Sequence, residues 1–189
     1  MGVDFKHIMS NDFKGFIKEV LSIVITAFVL AMILRTFVIE GREIPSGSML
    51  PTLQIDDRVM VNKFIYYFKE PVRGDVVILD PPEELNSDKY FIKRVIGLPG
   101  ETVEMKDGKV YINDRALEEP YLPEPLNYHF GPVVVPNDSL LVLGDNRNNS
   151  FDSHLWNVWL KRDRIKGKAF TIYWPLNHLQ LMEREVSFE

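Results

Sequence analysis

Polar and apolar positions divide the chain into two regimes. Residues 1–19 are mixed, with Lys6, Lys14 and Lys18 set against Asp4, Asp12 and Glu19. Val20 to Leu34 then runs without a charge, and Ser22 and Thr26 are its only polar groups. Arg35 interrupts, and Thr36-Phe37-Val38-Ile39 resumes the apolar character. As a helix, Val20 to Leu34 covers about 22 Å, short of a hydrocarbon core of about 30 Å. Counting Phe16 to Ile39 closes the gap, with Lys18 and Arg35 snorkelling toward the two interfaces. A core helix apolar all round would need a larger protein to surround it. A cleaved leader would need a small-x-small site, and Arg35 to Glu40 offers none. The expectation is therefore a cytoplasmic N-terminus over residues 1–15, a single membrane anchor over 16–39, and an exported domain over 40–189. The charge bias behind this orientation is weak, because Arg35 and Arg42 follow the span.

After Gly41 the pattern changes to short apolar runs between turn residues, which predicts strands. Candidates are Arg58 to Lys63, Asp75 to Leu79, Tyr90 to Leu98, Val133 to Val135, Leu140 to Leu143 and Lys168 to Trp174. Thr102 to Met105 and Val110 to Ile112 flank Asp107-Gly108 and predict a hairpin. Glu118 to Pro132, rich in Pro and Glu, predicts a loop, so residues 101–143 are expected to form a short hairpin-and-loop insert. The fold class expected is mostly β, a compact antiparallel sheet behind one N-terminal transmembrane helix.

Composition narrows the function. The chain has 189 residues, 46% hydrophobic and 26% charged, enough for one globular domain plus a short element. A net charge of −5 argues against nucleic acid as a partner. The absence of cysteine removes thiol catalysis, disulfides and zinc–thiolate sites.

Three stretches carry candidate chemistry. In Ile44-Pro45-Ser46-Gly47-Ser48-Met49-Leu50-Pro51, two prolines stiffen a turn that presents hydroxyls among apolar residues. The same composition suits a plain surface turn. In Phe91-Ile92-Lys93-Arg94-Val95-Ile96, alternation puts Lys93 and Arg94 on opposite faces, both otherwise apolar. Either the basic side chains snorkel from an edge strand, or one is desolvated. Desolvation lowers a lysine's pKa and makes it a general base, which a serine nucleophile requires. The third stretch, Gly144 to His154, is dense in Asp, Asn and Ser. It suits turns or a polar network in which Ser150 hydrogen-bonds a neutral lysine. A calcium loop fails on spacing, since Arg147 stands where an oxygen ligand is needed. His154 follows Asp152 by two residues, so counting alone leaves a Ser-His-Asp arrangement open.

Taken together and in this order behind an anchor, these stretches resemble the type I signal peptidases. The resemblance extends to Gly74-Asp75-Val76-Val77, Gly167-Lys168-Ala169-Phe170 and Tyr173-Trp174-Pro175, and so spans about Val20 to Pro175. It implies a Ser-Lys dyad protease that removes signal peptides from exported proteins at the outer face of the cell membrane, without metal or other cofactor. Its partners would be preproteins and the lipid bilayer. Residue by residue, it implies Ser48 as nucleophile and Lys93 as general base. The Ser48 N–H and Ser46 hydroxyl would form the oxyanion hole, with Ser150 orienting Lys93. Asp145, Arg147 and Asp152 would brace the site. Ile44, Pro45, Met49 and Ile92 would line pockets for small residues at −1 and −3. Asn148 and His154 depart from the family pattern, where Asp and Arg are usual, which puts the local salt bridges in doubt.

Two other readings compete. A self-cleaving Ser-Lys repressor would need a DNA-binding segment in place of the anchor. A non-catalytic, membrane-anchored β module that binds a partner would not need Ser48, Lys93 and Ser150 together.

Overall fold

A computed structural model describes residues 5–33 and 38–188. The chain divides into two units, residues 1–38 and 39–189. The first holds helix α1, Phe5–Ile33. Within it Phe13–Met32 has a mean hydropathy of 2.0 and none of that stretch is buried by the protein. Twenty helical residues rise about 30 Å, the thickness of a hydrocarbon core. Residues 34–37 of the expected span lie outside the described residues. Ile39, expected at its end, instead opens a strand.

The second unit is mostly β. Its strands are β1 Ile39–Glu43, β2 Arg58–Asn62, β3 Val76–Leu79, β4 Phe91–Gly97, β5 Thr102–Lys106, β6 Lys109–Ile112, β7 Arg115–Glu118, β8 Phe130–Val134, β9 Ser139–Leu143, β10 Leu160–Lys161, β11 Ile165–Trp174, β12 Gln180–Leu181 and β13 Ser187–Phe188. A short helix, α2 Ser153–Trp156, precedes β10. The larger sheet is ordered β1-β2-β11-β3-β4-β9-β10, with β12 beside the second half of β11. Every residue of β3 and β9 is buried, as are six of the seven in β4. Val76–Leu79 and residues 140–143 read as unbroken apolar runs because the sheet is covered on both faces, and β4 carries Lys93 and Arg94 into the same buried setting. One face packs Val59, Val61, Val76, Ile78 and Ile92 beneath Ile44, Met49 and Leu53. The other packs Val77, Leu79, Val95 and Val142 against Trp156. Lys168 Nζ reaches Asp75 Oδ1 at 2.6 Å and ties β11 to β3.

The segment 101–143 is more than a hairpin and loop. It builds most of a second sheet, β13-β7-β6-β5-β8, with its own core of Val103, Met105, Val110 and Ile112. The Asp107-Gly108 hairpin forms as expected, both residues at positive φ. A second tight turn at Asn113-Asp114, also at positive φ, adds β7. The expected loop Glu118 to Pro132 contains the start of β8. There Pro132 is tolerated because β8 is an edge strand. This sheet leaves the larger one after β4 and returns at β9, strands that are themselves paired.

Candidate active site

Ser48 sits on a single 3-10 turn, Gly47–Met49. The turn is held from below, since Ile44, Met49 and Leu53 are fully buried. It is held from the side by Asn146, whose N–H donates to the Ser48 carbonyl at 3.0 Å and whose side-chain amide donates to the Gly47 carbonyl at 3.1 Å. Pro45 and Ile92 line the cleft above the turn, whereas Ile44 and Met49 lie in the core beneath it and support rather than line it. The cleft is about 380 Å³. Lys89, Tyr90, Phe91, Asn149 and Phe151, none of them anticipated from sequence, complete its wall.

β4 brings Lys93 to this turn. It lies between β3 and β9, so the edge-strand reading of its basic residues does not hold. Lys93 is 4% exposed, and its Nζ stands 2.7 Å from Ser48 Oγ. Burial pushes the Lys93 pKa down to about 8, against the opposing pull of Asp152 and Asp145. Near neutral pH a minor fraction of the side chain is then neutral and able to accept a proton, and that fraction grows as pH rises through about 8. Ser46 Oγ is 3.5 Å from Ser48 Oγ.

The Gly144–His154 run wraps around this pair. Ser150 Oγ is buried and makes no hydrogen bond to any described group, Lys93 included. Asp145 receives Arg94 Nε at 2.9 Å, Arg94 Nη2 at 2.7 Å and the Thr52 hydroxyl at 2.6 Å. Arg147 donates to the Gly144 carbonyl at 3.0 Å and to Glu119. Asp152 accepts the Gly144 N–H at 2.9 Å and approaches His154 Nδ1 at 2.6 Å. His154 therefore pairs with Asp152 and stacks on Tyr128 at 4.2 Å, while the group on Ser48 Oγ is Lys93. Asn148 accepts from the Asn127 N–H and donates to Glu124 and the Pro125 carbonyl. The two unusual positions thus secure the neighbouring loop. Arg94, Thr52, Glu119 and Tyr121, whose hydroxyl donates to Glu119 at 2.5 Å, were missed as site residues. Arg94 alone carried a signal, as a second basic residue in an apolar strand.

Gly144 leaves no room for a side chain. A Cβ there would stand 2.2 Å from Ser150 Oγ and 2.3 Å from the Ser48 carbonyl oxygen. Gly144→Ala is expected to push the Ser48 turn and the Ser150 segment apart and to cost about 1–3 kcal/mol in stability, as overpacking does. It should also lower turnover far more than that loss of stability explains. Parent-like kcat in a folded Gly144→Ala protein would show that the approach of these segments does not matter.

Residues 17–174 match the family model described as "Signal peptidase, peptidase S26". The chain is 53% identical over 156 residues to "Signal peptidase I" of Leptolyngbya laminosa, covering 80% of this chain and 76% of the relative. It is 46% identical over 168 residues to "Probable signal peptidase I-2" of a Synechocystis strain, covering 87% and 77%. A solved signal peptidase I from Enterococcus faecalis V583 is 33% identical, covers 53% of this chain and 97% of its own, and superposes with a TM-score of 0.46. With the family model spanning most of its length and relatives this similar, the chain belongs to the signal peptidase family S26, a family of serine endopeptidases.

Proposed function

We propose that this protein is a membrane-anchored endopeptidase that cuts signal peptides from exported preproteins after small-x-small sites, with Ser48 as nucleophile and neutral Lys93 as general base. The observation that carries the reading is the 2.7 Å approach of a buried lysine to Ser48 Oγ. Lys93 takes the hydroxyl proton as Ser48 Oγ bonds to the scissile carbonyl carbon. The oxyanion is met by the Ser48 N–H and the Ser46 hydroxyl. When the C–N bond breaks, the Lys93 ammonium returns its proton to the leaving nitrogen, and water later releases the acyl group. Asp145 and Arg147 hold the loop that carries Ser150, and Asp152 holds Gly144. Pro45 and Ile92 bound the cleft, which favours small residues at −1 and −3.

α1 serves as the anchor, with the N-terminus in the cytoplasm and the peptidase unit on the outer face of the cell membrane. An anchor raises the local concentration of a substrate that is itself held in the bilayer. β1 is an edge strand leading into Ile44–Ser48, and an extended substrate can add main-chain hydrogen bonds along that segment.

The test is incubation of the full chain in detergent micelles with a preprotein bearing an Ala-x-Ala site, followed by mass measurement. One cut after the second Ala is expected. Binding without a product would favour a non-catalytic β module. Ser46→Ala is expected to lower kcat by roughly 100- to 1000-fold, the usual cost of one oxyanion donor. An unchanged kcat would mean that another group meets the oxyanion.

A further inference from the structure

The aromatic wall of the cleft is unassigned by the mechanism. Phe151 directly follows Ser150 and is 51% exposed. Its ring lies 6.5 Å from Phe91 and 6.4 Å from Trp156, and Phe91 lies 6.0 Å from Trp156. Trp156 is 4% exposed and anchors the triangle to the core. Phe151 is thus a half-exposed ring on a rigid base, facing the same cleft as Ser48 and Lys93.

The chemistry says which part of a substrate passes this wall. Lys93 must hand its proton to the leaving nitrogen, so that nitrogen comes within about 3 Å of Lys93 Nζ. Lys93 Nζ itself stands 5.8 Å from the centre of the Phe91 ring. The residue on the leaving side of the bond therefore passes Phe91, whose ring packs against Phe151 in the same cleft. We infer that Phe151, backed by Phe91 and Trp156, is a specificity-determining residue that selects the first residues of the released chain, +1 and +2, in favour of apolar side chains. This inference rests on the peptidase reading of Ser48 and Lys93.

The test uses the full chain in detergent micelles and a preprotein series that keeps Ala at −1 and −3 while +1 and +2 carry Ala, Leu, Phe, Asp or Lys. The parent is expected to favour Leu and Phe over Asp and Lys by about tenfold in kcat/KM, the scale of a modest apolar contact. Phe151→Ala should bring that ratio close to one, and Phe151→Leu should keep most of it. Discrimination of Ala from Leu at −1 should persist in both, with melting temperatures reporting on folding. A parent that cleaves every member alike overturns this inference and leaves the peptidase reading standing. So does a folded Phe151→Ala that keeps the parent's ranking, or one that loses discrimination at −1 in parallel. A parent that cleaves no member overturns the peptidase reading, and this inference with it.

Discussion

Ser48→Ala and Lys93→Met are each expected to lower turnover by several orders of magnitude, because the proposed mechanism makes them nucleophile and base, which act as one unit. The two variants should differ in stability. The Lys93 pKa falls from an unfolded value of about 10.4 to about 8 in the fold, chiefly through burial. Between those values the unfolded chain holds the extra proton, so the contribution of this group to stability rises with pH. It is complete above about 10.4 and is lost as pH falls through about 8. At pH 7 the fold therefore carries a buried ammonium at a cost, and Lys93→Met should be inactive yet at least as stable as the parent. At pH 10 the parent should have regained that difference. Cleavage by the parent should rise with pH through about 8, as neutral lysine becomes the dominant form. The measurements are initial rates and melting temperatures of the full chain in detergent between pH 6 and 10. A flat rate over that range, or a Lys93→Met protein clearly less stable at pH 7, would exclude a neutral buried lysine as the base.

Two central strands were legible because a strand covered on both faces reads as an apolar run, as in Val76–Leu79 and residues 140–143. β1 was not, because Ile39–Glu43 is an edge strand with no buried residue, and Ile39 reads as a continuation of the apolar helix. β12 and β13 have two residues each and exist only through their partners β11 and β7, which no local pattern encodes. Ser48 was visible as a hydroxyl on a proline-bounded turn. Lys93 was visible as a charge in an apolar strand, but the alternation of β4 did not separate it from Arg94, since both faces of the strand are buried. The tertiary fold separates them. Arg94 meets the Asp145 carboxylate, while Lys93 Nζ meets Ser48 Oγ. The Glu119 partner of Arg147 lies 28 residues away in a Pro- and Glu-rich stretch, where nothing marks it for burial.

Asp145→Ala is expected to cost about 3–5 kcal/mol, because it leaves Arg94 charged, buried and without its counter-ion. Arg94 is 1% exposed, and Asp145 is fully buried. Asp145 outweighs the burial that would otherwise lower the Arg94 pKa. Three donors converge on this carboxylate, two from β4 and one from Thr52 beside the Ser48 turn, so it joins the strand of Lys93 to the turn of Ser48. Arg94 would keep its bonds to the Gly74 and Glu183 carbonyls and its place over the Tyr121 ring. In a domain of this size the loss corresponds to a melting temperature lower by roughly 6–20 °C. Replacing both partners, as Arg94→Leu with Asp145→Leu, should recover much of that stability, since the desolvation cost of the pair disappears with it. A double variant no better than Asp145→Ala would mean that the carboxylate matters through Thr52 instead. The pair also bears on catalysis. Asp145 is one of the two carboxylates that hold the Lys93 pKa up. Its removal should therefore shift the rising limb of the rate–pH profile to lower pH even as the maximal rate falls. A limb that stays in place, or moves to higher pH, would show that the charge of Asp145 is not felt at Lys93.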